Sequence, residues 1–188
     1  FTPAGRRFQE NIRGPVNALR IVRLTRKDFA DLRHVIPLVL TPNKLPLYEI
    51  RYVGSAWTRL RDNRGRPAGQ RVLAQVFYLS PRQIWPGQRY FEGKIWVDAA
   101  TLGIVRITGH PVPELRRWVN GQQEDNLFGA FTTYFGRVDG RFWFPVYATG
   151  DDWLGFASGP VEMREYVRFR HYQRFAATSS FKVVGPAH

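Results

Sequence analysis

Two runs of alternating apolar and polar residues, Phe128 to Val138 and Arg141 to Thr149, meet at Asp139-Gly140. A two-residue hairpin turn of the favoured hand needs positive φ at both central positions, which Gly adopts freely and Asp tolerates. The dipeptide therefore predicts an antiparallel hairpin, and the rest of the chain is read against it. Four more segments run apolar or alternate at strand length: Leu47 to Val53, Arg71 to Leu79, Arg89 to Val97 and Gly103 to Thr108. Asp62 to Gly69, rich in Arg, Gly and Pro, predicts an exposed loop between the first two; Asp98 to Leu102 predicts a short hairpin connection between the last two, with Asp98 starting the turn.

Asn17 to Leu24 offers an earlier strand, and Val161 to Phe175 a final one long enough to bend across a sheet. Asp28 reads as a helix N-cap, followed by Phe29, Leu32, Val35 and Ile36 at helical spacing until Pro37 ends the run. Thr41 to Pro46 reads as a connection, and Pro111 to Asp125 as turn-rich and briefly helical. Residues 1–15 show no sustained periodicity and predict an irregular arm on a single domain spanning 1–188. The tally is about eight strands with short connections and no strand-helix alternation, so the fold class is mainly β: a strongly curved antiparallel sheet, an open or half barrel, with one or two short helices packed on it.

Composition supports that reading. The 14 Phe, 8 Tyr and 6 Trp against a single Met favour pleated, half-buried surfaces over helices. With 28 Lys and Arg against 15 Asp and Glu, the formal charge of +13 gives a field that attracts anionic membrane surfaces and other phosphate-bearing partners. The absence of cysteine removes disulfides and thiolate metal ligation, and leaves the redox compartment unread. No apolar run reaches the length of a membrane span; His34 to Thr41 is short and broken by Pro37. Because the chain opens at Phe1 and its one Met is Met163, an export signal is expected upstream.

Residues able to do chemistry are sparse in pattern. His34, His110, His171 and His188 have no His or acidic neighbour at the spacing of a local metal site. No G-x-S-x-G turn presents a serine nucleophile; Ser158-Gly159 suits a turn before the last strand. Asp151 and Asp152 could pair as acid and base, but neighbours in an extended segment point apart, and a solvated loop is the simpler reading. The glycines fall in turns and do not lead into a helix, as a phosphate cradle requires. These features predict a protein without catalytic residues, cofactor or metal.

In the last strand Arg164, Tyr166, Arg168, Arg170, Tyr172 and Arg174 alternate, so period two puts them on one face and Met163, Val167, Phe169 and Phe175 on the other. Such a stripe could be a solvated outer face, meet anionic lipid headgroups, or bind nucleic acid, the least favoured of the three.

The run Gln88 to Gly109, QRYFEGKIWVDAATLGIVRITG, resembles the central hairpin of the outer-membrane lipoprotein-sorting superfamily (LolA, LolB and RseB-like proteins). The matching elements are Trp96, Val97 and Asp98 before the turn and Ile104, Val105 and Arg106 after it; Val138 to Pro145, VDGRFWFP, is similar to the next hairpin of that group. Asp28 to Gly54 and Asn126 to Asp152 resemble exported proteins of soil bacteria that have no assigned activity. The superfamily resemblance implies a curved sheet whose concave side is plugged by helices around an apolar cavity for acyl chains, in a periplasmic or otherwise exported protein. On that reading the apolar ligand contacts are Phe77, Phe91, Ile95, Val97, Val105, Ile107, Val167 and Phe169, and Arg164, Arg168, Arg170 and Arg174 face anionic surfaces. The expected partner is an acyl chain, lipid or lipoprotein anchor; the alternative is an interaction protein whose basic surface binds a polyanion or anionic membrane.

Overall fold

The computed structural model describes residues 25–38, 40–115, 118–119, 122–123, 127–156 and 159–172. The expected arm over 1–15, the strand over Asn17 to Leu24, Arg174 and Phe175 lie outside them. Helix α1 (Arg26–Ala30) runs directly into a π-helical turn (Asp31–Val35), and a 3-10 turn (Leu45–Leu47) leads into the strands. These are β1 (Tyr48–Arg61), β2 (Pro67–Pro81), β3 (Tyr90–Asp98), β4 (Ile104–Val112), β5 (Trp118–Val119), β6 (Gln122–Gln123), β7 (Phe131–Val138), β8 (Phe142–Phe156) and β9 (Gly159–Arg168). Seven form one open sheet in the order β1-β2-β3-β4-β7-β8-β9, and β5 and β6 pair as a separate ribbon. All pairings are antiparallel.

The mainly β class, the open sheet and the short helix agree with the sequence, and Asp139 and Gly140 turn with φ of 54° and 66°. Several boundaries differ. The N-cap is Thr25, not Asp28: Asp28 stands three residues further on and closes a capping box, its Oδ2 accepting from the Thr25 N–H and Oγ1 at 2.7 Å each. The first of the four strands runs well past Val53 to Arg61, and the loop expected over Asp62 to Gly69 shrinks to a turn over 62–66. Phe128 precedes its strand, which starts at Phe131. The stretch expected to be briefly helical starts by completing β4 through Pro111 and Val112, then holds the β5–β6 ribbon. Asp151 and Asp152 are not in a loop but in β8, paired with Arg164 and Met163. The last strand stops at Arg168, short of Phe175.

One face of the sheet carries the helical segment. Val35, Ile36 and Leu38 pack on Leu79, Phe91, Ile95, Ile107, Phe131, Phe135 and Ala148. The Thr133 hydroxyl donates to the Ile36 carbonyl at 2.6 Å, so the fully buried Thr133 is satisfied there. Arg89, just before β3, grips Asp31 with two hydrogen bonds of 2.9 and 2.7 Å and reaches the Pro113 carbonyl with a third, pinning the π-helical turn over the β3–β4 end of the sheet. Two glycines make that packing close. Gly93 and Gly109 are register partners, and a Cβ on Gly109 would stand 2.1 Å from the Glu92 carbonyl and 2.7 Å from the Phe91 ring. Phe91, 1% exposed, occupies the space their missing side chains leave.

Candidate functional site

Six of the eight predicted ligand contacts share the helix face by register and parity: Phe77 pairs with Ile95, Ile95 with Ile107, Phe91 and Val97 alternate with Ile95 along β3, and Val167 pairs with Ala148. Phe91, Ile95 and Ile107 are buried in the core, and Phe77, Val97, Val167 and Phe169 are half-buried against it. Val105, the extra residue at a bulge where β4 shifts register against β3, is buried outside that cluster. These residues are brought together as packing under and around the helical segment, and the concave cavity expected of them is filled at its centre by Val35 and Ile36, each 1% exposed.

The apolar surface that stays open lies farther out on the same face. Ile50 and Tyr52 pair with Leu79 and Phe77, and Trp57 pairs with Leu73. Their exposures are 46%, 57%, 61% and 39% for Ile50, Tyr52, Trp57 and Leu73, high for large apolar side chains on a sheet face. Tyr52 tilts against Phe77 with ring centroids 5.5 Å apart and donates its hydroxyl to Gln75 at 2.8 Å, which fixes its ring beside the strip. Among the described residues the helical segment packs chiefly on β3 and β4, and β1 beyond the buried Tyr48 carries exposed apolar side chains on this face. Sequence reading missed this strip because the bulge between Tyr52 and Gly54 inverts the parity of β1 halfway along.

The predicted basic stripe on β9 is partly in place. Arg164, Tyr166, Arg168 and Arg170 are exposed while Met163, Val167 and Phe169 are half-buried, the alternation expected. Arg164 is bound by the Asp151 carboxylate at 3.1 and 3.2 Å, which neutralises it toward an outside anion. Tyr172 has left the stripe to stack on Phe144 at 4.8 Å.

A denser basic site, which the sequence did not point to, sits where the β1–β2 hairpin tip folds across the face opposite the helix. The Arg61 guanidinium lies 4.8 Å from the Tyr134 ring centre, and the turn glycine Gly65 meets the Tyr147 ring. Arg106 lies over Trp96 at 4.4 Å and faces Tyr134 at 5.9 Å. Arg59 and Arg71 are register partners at the tip. Trp57, at the sheet edge where the apolar strip ends, joins Thr58, Arg59, Arg61, Arg71, Arg106 and Tyr134 in lining a depression of about 330 Å³.

Carboxylates gather elsewhere, where α1 meets the β8–β9 side of the sheet. Asp28 accepts from the Leu127 N–H at 3.3 Å and Asp152 from the Ala130 N–H at 3.3 Å. Glu165, on the helix face of β9, has a buried Oε1 that meets no partner among the described residues. Burial first, then the charges of Asp28 and Asp152, push its carboxyl up to about 8. Burial likewise pushes Asp31 up to about 6 against the opposing pull of Arg89. Among the described residues no three His, Asp or Glu side chains converge as metal ligands do, and no helix is long and apolar enough to cross a membrane.

Comparison with known proteins returns no match from family models, curated proteins or solved structures.

Proposed function

We propose that this is a non-enzymatic binding protein of the cell envelope, periplasmic or otherwise exported, that holds the acyl chain of a lipid or lipoprotein anchor along the outer part of its helix face. The observation that carries this is the strip Ile50, Tyr52, Trp57 and Leu73, exposed beside the half-buried Phe77 and Val97. Leaving four large apolar side chains about half exposed on one side of a sheet forgoes roughly 1 kcal/mol for each, a cost that a bound chain removes. The hairpin Gln88 to Gly109, with its likeness to the lipoprotein-sorting superfamily, supports the same reading, as does the +13 charge, which draws the protein to anionic lipid surfaces.

The test is to purify the protein, identify co-purifying lipid by mass spectrometry, and titrate a fluorescent fatty acid into the delipidated chain. Binding that weakens in Ile50→Ser and Tyr52→Ser, at unchanged melting temperature, is the expected result. Absence of both lipid and titratable binding, or binding indifferent to these two substitutions, overturns the proposal.

A further inference from the structure

We infer that the depression at the β1–β2 hairpin tip is a binding site for a phosphate group, adjoining the acyl-chain strip, with which it shares Trp57. Four arginines, Arg59, Arg61, Arg71 and Arg106, line one hollow of about 330 Å³, and no carboxylate belongs to its lining. None of the four has an acidic partner among the described residues. The nearest candidate in sequence, Asp62, is engaged with its own turn: it accepts from the Arg64 and Arg66 N–H groups and pairs with the Arg66 side chain at 2.9 Å.

The arrangement is also costly without an anion. Like charges directly opposite on paired strands destabilise a sheet, and Arg59 faces Arg71 in that way. Arg61 and Arg106 both press on the one Tyr134 ring, so the fold brings two further guanidinium groups to the same side chain. Their positions are set beforehand by the fold: Arg106 lies on Trp96 and bonds Thr108 Oγ1 at 3.3 Å, and Arg61 bonds the Gly65 carbonyl at 2.5 Å. Each guanidinium has five N–H donors, and these contacts leave most of them free. Planar donor forks that are fixed in place, unpaired and gathered on aromatic walls match the oxygens of a phosphate, which accept bidentate bonds at little further ordering cost. The hollow suits one phosphate-bearing group, either a lipid headgroup or a soluble phosphoester.

The experiment is calorimetric titration of inorganic phosphate into the full chain, repeated with chloride at matched ionic strength, for wild type, Arg59→Gln/Arg71→Gln and Arg168→Gln/Arg170→Gln. The expected result is saturable phosphate binding that chloride does not reproduce, weakened roughly tenfold or more in the tip variant and unchanged in the β9 variant. The tip arginines are exposed, so this variant should melt with wild type; if it does not, Arg59→Lys/Arg71→Lys keeps the charge while removing the fork, and should show the same loss. No phosphate binding, or equal weakening in both Gln variants, overturns the inference. Flotation with phosphatidylglycerol–phosphatidylcholine vesicles against pure phosphatidylcholine then separates the sources. Co-flotation lost in the tip variant assigns a headgroup, and phosphate binding without it assigns a soluble phosphoester. Because phosphate carries no acyl chain, either result leaves the fatty-acid titration to stand or fall separately.

Discussion

Glu165 and Asp31 titrate in the same direction for the same reason, burial of a carboxyl on the helix face. A carboxyl whose pKa is higher in the folded than in the unfolded chain binds its proton more tightly when folded, so its contribution to stability is complete at low pH and is lost as pH rises through the folded value. For Asp31 the loss runs between about 4 and 6, and for Glu165 between about 4.5 and 8. Urea denaturation should therefore give a lower midpoint at pH 8.5 than at pH 5, and Glu165→Gln should flatten the part of the decline above about pH 6. An unchanged slope in that variant would mean that Glu165 is charged and solvated. Arg89 tests the other carboxyl. Arg89→Leu leaves Asp31 buried without its partner and should cost roughly 3–5 kcal/mol, with the larger loss at the higher pH. By contrast Arg168→Gln/Arg170→Gln should change stability by less than about 0.5 kcal/mol, since both side chains are exposed, at the end of β9 and just beyond it.

The elements separate what local sequence decides from what pairing decides. Asp139-Gly140 was legible because the two residues alone set the turn, and the alternation of Phe169 with Arg168 and Arg170 was legible because it needs only period two. The second half of β1 was not. Between Gly54 and Arg61 the bulges at Tyr52/Gly54 and Arg59/Arg61 break the alternation, and Arg59 and Arg61 make the segment read as loop. Asp151 and Asp152 misled for a related reason: carboxylates are rare in strands, yet here one pairs with Arg164 and the other accepts the Ala130 N–H. The Gly93–Gly109 pair was not read from the sequence, because its purpose depends on register. Gly109→Ala should drive a methyl into the Glu92 carbonyl and the Phe91 ring, destabilising by about 1–3 kcal/mol in thermal or chemical melts. Phe91→Ala, in the same packing, should cost about 3–5 kcal/mol, and Phe169→Ala less, because Phe169 is only half-buried.

At the scale of the whole molecule the two faces of the sheet divide the work. The helix face is sealed over β3 and β4 and open toward β1, while the opposite face is covered in part by the chain's own hairpin tip, which brings arginines from β1, β2 and β4 around one tyrosine of β7. That gathering could not be seen in the sequence, where these residues are scattered among positions 59 to 134 and share no spacing. The fold class survives this blindness because it follows from strand count and turn chemistry, which are local.

The tip also carries a kinetic meaning. Arg61 at the end of β1 meets Tyr134 of β7 across three intervening strands, a long-range contact that needs β2, β3, β4 and β7 in place, so we expect it to be among the first to open. Amide hydrogens in the ladder between Thr58–Arg59 and Arg71–Val72 should exchange faster than those between Phe77–Leu79 and Gly93–Ile95, and inorganic phosphate should slow the first set alone. In that case the anion acts as a latch, trapping a segment that otherwise swings away from the sheet.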